Sequence, residues 1–282
     1  MIGFWLINLL IPDDPAEILL NTSSGIWTIN QHEKFQEFKT SIISNNQSAT
    51  TYAIENPVSL AVDGAAICDK CLEDMTPILL GASYLSGLSV TVRQSLPFSD
   101  VTILQPTSHW PRDRSMGAGN FCVNNHAEYV ENLEKFVGAW ASAHQPEKIL
   151  ILIHHWLDAL ACWSFEDFYL SATTLLQIIA ATEKGINHRP NAKFLPSIQS
   201  ASSRAGINPL SDDFKDMRNN LIHEGRLLGG RFSGTTIQDC SAVAADVMNW
   251  FDDYIHSVLH LGTVKRKRYN ATDFINLNAY SL

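Results

Sequence analysis

The sequence predicts an α+β fold, in which a β-rich α+β module at residues 1–122 precedes an all-helical domain at residues 123–282. The first part alternates short runs of β-branched and aromatic residues with clusters of turn-forming residues. The second part has long segments in which apolar residues recur every three or four positions. Since the chain is 45% hydrophobic and 17% charged, it has the composition of a globular protein with a sizeable core.

Strand-like segments account for most of the first module. The predicted strands are Phe4–Ile11, Gly25–Asn30, Thr50–Ile54, Leu88–Gln94 and Val101–Leu104. We expect one helix among them, from Ala65 to Leu85. Pro, Ser and Gly follow one another closely in Pro106–Asn120, which predicts a linker to the second domain.

Helical periodicity dominates the second domain. A first helix covers Ala127–Trp140, a second begins at Pro146 and runs to about Cys162, and a third starts behind Ser164 and stops at Gly185. The segment Phe194–Ala205 predicts a looser structure before the next helix. The last helix carries an apolar stripe that we expect in the core, formed by Val243, Val247, Trp250, Phe251, Tyr254, Val258 and Leu259.

Composition limits the function classes. The net charge of −9 argues against broad nonspecific nucleic-acid binding, because such binding needs many Lys and Arg side chains. Five cysteines without a secretion signal favour free thiols in a reducing cytoplasm. Apart from the opening Met1–Pro12, which reads as a strand followed by Asp13 and Asp14, no apolar run approaches the ~18 residues of a membrane helix.

The strongest chemical signal lies between Asp216 and Gly225, where Arg218 and His223 stand in an R-x4-H spacing. A guanidinium stays charged at any working pH and matches phosphate oxygens, whereas an imidazole exchanges protons near neutrality. Gly225 predicts the end of the helix, so His223 falls in its last turn. The helix should bury one apolar stripe, formed by Leu210, Phe214, Met217 and Leu221.

The same spacing has a structural interpretation. A His in a final helical turn commonly complements the helix dipole, and an Arg beside an apolar stripe commonly packs its stem and extends its head into solvent. Short motifs of this kind also arise by chance. The pattern alone therefore leaves a catalytic and a structural interpretation open.

The string Phe214–Gly225, between two long apolar helices, resembles the signature helix of the HEPN superfamily, and most closely that of ApeA-like HEPN domains. The resemblance covers roughly residues 126–262. It implies an all-helical bundle that dimerises so that two R-x4-H motifs face each other. Many members are metal-independent endoribonucleases of antiviral defence and toxin systems, and others are inactive modules that bind nucleotides or partners.

The resemblance implies roles for three residues. Arg218 would stabilise charge on the phosphorane, His223 would exchange protons with the attacking 2′-OH or the leaving oxygen, and Asn219 would orient His223 from one turn back. The partners would be an RNA substrate and a second copy of the chain, with an activator or antitoxin as a further possibility, and no cofactor. The first module would sense a trigger or select RNA.

Two positions depart from the family pattern. Gly225 stands where several HEPN toxins have a Tyr that a partner enzyme modifies, so this control route is not expected. Gln177 occupies the position at which the family often has an acidic residue on a preceding helix. An amide holds a hydrogen bond but cannot take a proton, which favours the alternative of a catalytically inactive dimerisation or nucleotide-binding module.

Basic side chains near the motif are the candidates for RNA binding. Arg226 and Arg231 flank a Gly-Gly turn that could bring either of them to a phosphate. A dense basic run follows the last helix and could guide the RNA backbone, or could be a solvated charged segment. Its members are Lys265, Arg266, Lys267 and Arg268.

Other chemistries have weaker support. Cys68 and Cys71, with Cys122 and His126, have the residue types of a zinc site, but both cysteines fall on the apolar side of a predicted helix, where buried free thiols are expected. The sequence has no G-x-S-x-G elbow and no Walker or Rossmann glycine loop. Its carboxylates are not spaced as metal ligands, which disfavours a metal-dependent nuclease.

Overall fold

A computed structural model of the chain describes residues 1–103, 107 and 109–281. The chain forms two compact units, Met1–Ala141 and Ser142–Leu282. The predicted α+β class is confirmed, because the first unit contains a five-stranded antiparallel sheet and the second is helical. The division at 141/142 differs from the predicted one at 122/123, since helix α4 (His126–Ala143) belongs largely to the first unit.

The strands are β1 (Ile2–Ile7), β2 (Glu17–Thr22), β3 (Gly25–Gln31), β4 (Thr50–Asn56) and β5 (Thr91–Ser95). They pair antiparallel in the order β2-β3-β4-β1-β5. Four of them overlap predicted strands, whereas β2 was not predicted. The prediction of a strand at Val101–Leu104 is wrong for residues 101–103, which are not in a strand, and Leu104 lies outside the described residues.

Helices α1 (Phe35–Asn45), α2 (Leu60–Asp63) and α3 (Ala65–Ser86) complete the first unit with α4. The predicted helix at Ala65–Leu85 is confirmed, and α1 was not predicted. The packing of α3 against α4 explains where α4 belongs: the Tyr129 hydroxyl donates to the Ala82 carbonyl at 3.5 Å. Residues 109–120 of the predicted linker are neither helix nor strand, and Pro106 and Ser108 lie outside the described part of the chain.

The second unit consists of α5 (Ile149–Leu160), α6 (Phe165–Ile186), α7 (Phe194–Ala205), α8 (Asp213–Glu224) and α9 (Ile237–Val258). Ser164 caps α6 as predicted, since its Oγ accepts from the Asp167 amide at 3.1 Å. The prediction of a looser structure at Phe194–Ala205 is wrong: this segment is a regular helix that buries Ile198 and Ala201. No helix in the described residues combines the length and apolar character needed to span a bilayer.

One ionic network fixes the helices that surround α8. Arg204 at the end of α7 pairs with Glu147 at 2.7 Å and with Glu183 of α6 at 2.8 Å. The Tyr254 hydroxyl of α9 donates to Glu147 at 2.6 Å. Because Glu183 and Tyr254 are buried, these hydrogen bonds are shielded from water and hold α6, α7 and α9 in one arrangement.

Candidate functional site

Helix α8 carries the predicted site, and its sequence explains its boundaries. Phe214 and Met217 are buried and anchor one side of the helix. The helix ends at Gly225, which has a left-handed φ of 67°, a conformation that glycine adopts without the steric cost of a side chain. His223 is the basic residue of the last turn, as predicted.

Arg218 is held by neutral groups from three helices. Its Nη1 donates to Asn219 Oδ1 at 3.3 Å. The side-chain amide of Gln177 on α6, oriented with its oxygen toward the guanidinium, accepts from Nε at 3.3 Å and also from Nη2. The guanidinium carbon lies 5.5 Å from the centre of the Phe194 ring at the start of α7, within cation–π distance. The structure therefore brings Gln177 and Arg218 together.

The charge of Arg218 has no carboxylate partner among the described residues, where no Asp or Glu oxygen lies within ion-pair distance of it. Three other arginines of this unit contrast with it: Arg204 pairs with Glu147, Arg226 with Glu224, and Arg268 with Asp252. Since amides and an aromatic ring orient the guanidinium without neutralising it, Arg218 keeps its positive charge for an anion.

His223 is exposed and Asn219 is partly exposed. Among the described residues no hydrogen bond joins these two side chains, and the Asn219 side chain instead accepts a hydrogen bond from Arg218. Asn219 thus positions Arg218 in this structure, and its predicted role in orienting His223 has no hydrogen bond to support it. The physical reason is the stronger attraction of the amide oxygen to a charged donor.

The buried Asn220 is a site residue that sequence reasoning missed. Its Nδ2 donates to the Gly229 carbonyl, and its Oδ1 accepts from the Arg231 amide at 3.4 Å. These bonds fold the loop after α8 back against the helix. Gly230 has a φ of +62°, and a Cβ there would lie 2.5 Å from Asn220 Oδ1, so the close approach requires glycine. The available signal was the spacing of three from Met217, which places an amide on the buried side of α8.

A buried tyrosine supports α8 from α6. The Tyr169 hydroxyl donates to the Phe214 carbonyl at 2.6 Å. Burial raises the pKa of Tyr169 well above its usual value, against the opposing influence of the Arg218 charge. The phenol therefore stays protonated and keeps this donor in place near the first turn of α8.

The predicted RNA-binding residues fall into different environments. Arg226 forms an exposed ion pair with Glu224 at 2.5 Å, whereas Arg231 is exposed and its side chain has no ion pair within the described ranges. Lys265, Arg266 and Lys267 are also exposed. Burial raises the pKa values of Asp246 and Asp253 on α9, and the charge of Lys267 acts in the opposite direction on both. Lys267 therefore lies near acidic side chains.

The prediction that all four residues of the basic run Lys265–Arg268 contact RNA is wrong for Arg268. Its side chain is 0% exposed and pairs with Asp252, 2% exposed, at 3.0 Å. Its guanidinium carbon lies 4.8 Å from the centre of the Trp156 ring. Because a buried carboxylate attracts the fourth cation into the core, Arg268 has a structural role and cannot meet a phosphate.

The described residues contain no group of three or more His, Cys, Asp and Glu side chains placed to hold a metal ion. Cys68, Cys71 and Cys122 are buried free thiols. Asp213, Asp239 and Asp246 line one open cleft of about 390 Å³ beside α8 and α9. Its negative charge would disfavour a phosphate at that position.

Comparisons of the chain with protein-family models, with curated proteins and with solved structures found no match.

Proposed function

We propose that the second unit is a metal-independent endoribonuclease of the HEPN type, which cleaves RNA by attack of a 2′-OH on the adjacent phosphate. The observation that carries this proposal is the guanidinium of Arg218, which neutral side chains orient and no described carboxylate neutralises. Such a group suits a phosphate whose charge increases in the transition state. The 2′-OH nucleophile restricts the reaction to RNA and needs no metal.

His223 supplies the proton transfer. Its exposure on the last turn of α8 leaves the imidazole accessible to substrate, and an imidazole side chain can both accept and donate a proton. It would accept the proton of the 2′-OH or donate one to the leaving 5′-oxygen, while water carries out the other proton transfer. The bond from phosphorus to the 5′-oxygen then breaks as the 2′-oxygen bonds to phosphorus. The products would be a 2′,3′-cyclic phosphate and a 5′-hydroxyl.

The active form would be a homodimer through α8. In a two-fold pair each subunit contributes the same surface, so two Arg218 and two His223 side chains would converge on one phosphate. The apolar side chain of Ile222, 47% exposed beside His223, supports burial of this turn against a second copy. The HEPN resemblance extends the proposal to a cytoplasmic effector of antiviral defence or a toxin, with the first unit acting in sensing or RNA selection.

Total RNA incubated with purified protein in EDTA, followed by analysis of the RNA ends, tests the proposal. We expect cyclic phosphate ends from the wild type and a loss of about 10²–10⁴ in rate for His223→Ala. His155→Ala, which changes a histidine of a different helix, α5, is the control and should cleave like the wild type. Full activity of His223→Ala with the dimer intact would overturn the proposal, as would cleavage that stops in EDTA.

One observation favours a second candidate, a non-catalytic module that dimerises or binds nucleotides. Gln177 contacts Arg218 at the position where the family often has an acid, and an amide cannot transfer a proton. In this case the wild type would leave RNA intact, while nucleotide binding would still depend on Arg218. Equilibrium binding of a nucleotide to wild type and to Arg218→Ala separates this candidate from the nuclease.

A further inference from the structure

Two large aromatic side chains of the second unit are exposed next to each other. Trp163, which precedes the cap of α6, is 65% exposed, and Tyr280 is 67% exposed. Their ring centres lie 5.8 Å apart at an interplanar angle of 69°. In this edge-to-face arrangement most of both ring surfaces faces solvent.

The backbone beneath these rings is fixed by hydrogen bonds. Phe165 donates its amide to the Asn278 carbonyl at 2.8 Å. Glu166 Oε1 accepts from the amides of Tyr280 at 2.7 Å and Ser281 at 2.8 Å, and from the Ser281 hydroxyl at 2.8 Å. The rings are thus presented from a fixed backbone, so a ligand that stacks on them meets a largely pre-formed surface.

The aromatic pair is connected to the end of α8. The Leu227 amide donates to the Ser281 carbonyl at 3.1 Å. Leu227 follows Gly225, where α8 ends immediately after its last turn with His223. The backbone next to Tyr280 is therefore bonded to the chain just beyond the turn of α8 that carries His223.

We propose that Trp163 and Tyr280 form a stacking platform for an unpaired base of the RNA that Arg218 and His223 hold, an inference that rests on the proposed function. Aromatic faces stack on bases in single-stranded RNA. The two segments that carry the rings, residues 161–167 and 276–281, contain no Lys or Arg, and Glu166 and Asp167 lie in the adjoining turn of α6. The platform would therefore contact the base and leave the phosphates to α8.

The surroundings of the pair favour a base over a protein partner. The other exposed residues of the two flanking segments are the small or polar Ala161, Asp167, Asn276 and Asn278. A stable protein interface buries about 800 Å² on each partner around an apolar centre, whereas one base needs only a planar ring. The area of two aromatic rings surrounded by polar residues is therefore suited to a single base and too small for a stable protein interface.

Binding of an unstructured oligouridylate with one internal 2-aminopurine tests the platform in the His223→Ala background, where no cleavage interferes. We expect the fluorescence of the 2-aminopurine to be quenched on binding. Trp163→Ala and Tyr280→Ala should each raise Kd about tenfold and reduce the quenching, whereas Trp163→Phe should bind nearly like the parent. The dependence of Kd on salt should stay unchanged, because no phosphate contact is lost, in contrast to Arg231→Ala, which should lower the slope by about one.

Failure of the platform and failure of the ribonuclease give different results. If RNA is cleaved but both alanine variants bind and quench like the parent, the platform is overturned and the nuclease stands. If no RNA is cleaved but quenching of the 2-aminopurine depends on Trp163, the stacking platform is supported and the proposed nuclease activity is contradicted. Dissociation of a dimer by Trp163→Ala, measured by sedimentation in the absence of RNA, would assign the pair to a protein interface and overturn the inference, as would an absence of RNA binding.

Discussion

Gln177 of α6 and Arg218 of α8 are in direct contact: with the amide turned so that its oxygen faces the guanidinium, it accepts from Nε at 3.3 Å and also from Nη2. This contact fixes the orientation of a planar cation without cancelling its charge. A carboxylate at the same position would form an ion pair and compete with any phosphate for the guanidinium. We therefore expect the identity of residue 177 to control how strongly α8 attracts an anion.

Gln177→Glu should weaken RNA binding. The new carboxylate would pair with Arg218, and an exposed or partly exposed ion pair contributes up to about 1 kcal/mol, or roughly a fivefold increase in Kd. Fluorescence anisotropy with a labelled single-stranded RNA in the His223→Ala background measures this change. The same substitution combined with Arg218→Ala is the control, and it should add little to the effect of Arg218→Ala alone. Tighter binding by Gln177→Glu would contradict the charge argument.

Asn220→Ala should destabilise the second unit and displace the loop that carries Arg231. Asn220 is buried and bonds the Gly229 carbonyl and the Arg231 amide. Loss of its side chain leaves these groups without partners, which costs about 1–3 kcal/mol of unfolding free energy. Urea denaturation measures the loss. Asn219→Ala, one residue away and partly exposed, should change stability by less than about 1 kcal/mol, and equal losses in both variants would contradict the assignment.

The sequence predicted those helices whose limits depend on apolar spacing, on a capping residue or on a terminal glycine. The extent of α3 followed from apolar spacing, the end of α8 followed from Gly225, and the cap of α6 followed from Ser164. Strand β2 was not predicted, because Leu19 is exposed between the buried Ile18 and Leu20. The apolar residues of this strand therefore do not alternate with polar ones. Helix α1 buries only Phe35 and Ile42, which is too sparse a pattern to recognise.

The environments of individual polar side chains could not be predicted, because contacts with residues distant in the sequence determine them. The four basic residues from Lys265 to Arg268 look equivalent, yet only the last one meets the buried Asp252. Asn219 and Asn220 are likewise adjacent and identical, but the helix turns one toward Arg218 and the other toward the loop. The Arg218–His223 spacing was readable from the sequence, whereas the neutral surroundings of Arg218 became visible only when α6, α7 and α8 were packed together.

Arg268→Met should reduce stability without changing the RNA affinity of the folded protein. The substitution removes the cation from the ion pair with the buried Asp252, a change that typically costs about 3–5 kcal/mol. Denaturation and anisotropy measurements on the same preparation separate the two effects. Lys267→Met, at an exposed neighbouring position, should stay within about 0.5 kcal/mol of the wild type. A stable Arg268→Met protein with weaker RNA binding would show instead that Arg268 contributes to the proposed RNA-binding surface.

The Arg204–Glu183 ion pair should make the second unit acid-sensitive. Burial acts to raise the pKa of Glu183, but hydrogen bonds from Arg204 and Ser200 and the charge of Arg204 outweigh it, so the pKa lies below the ordinary value of 4.5. A carboxylate whose pKa is lower in the folded state binds its proton more readily when unfolded. Its stabilisation is therefore present above pH 4.5 and is lost as the pH falls through the folded-state pKa.

Glu183→Gln tests whether the stabilisation by Glu183 is lost as the pH falls. The variant should be less stable than the wild type at neutral pH, because Arg204 loses a buried charged acceptor, and the difference should shrink as the pH falls below 4.5. Urea denaturation at several pH values gives the unfolding free energies. Glu224→Gln removes an exposed carboxylate of the same unit and should keep the wild-type pH dependence. If the stability difference between Glu183→Gln and wild type grows on acidification instead, Glu183 titrates in the opposite sense and the network does not stabilise its ionised form.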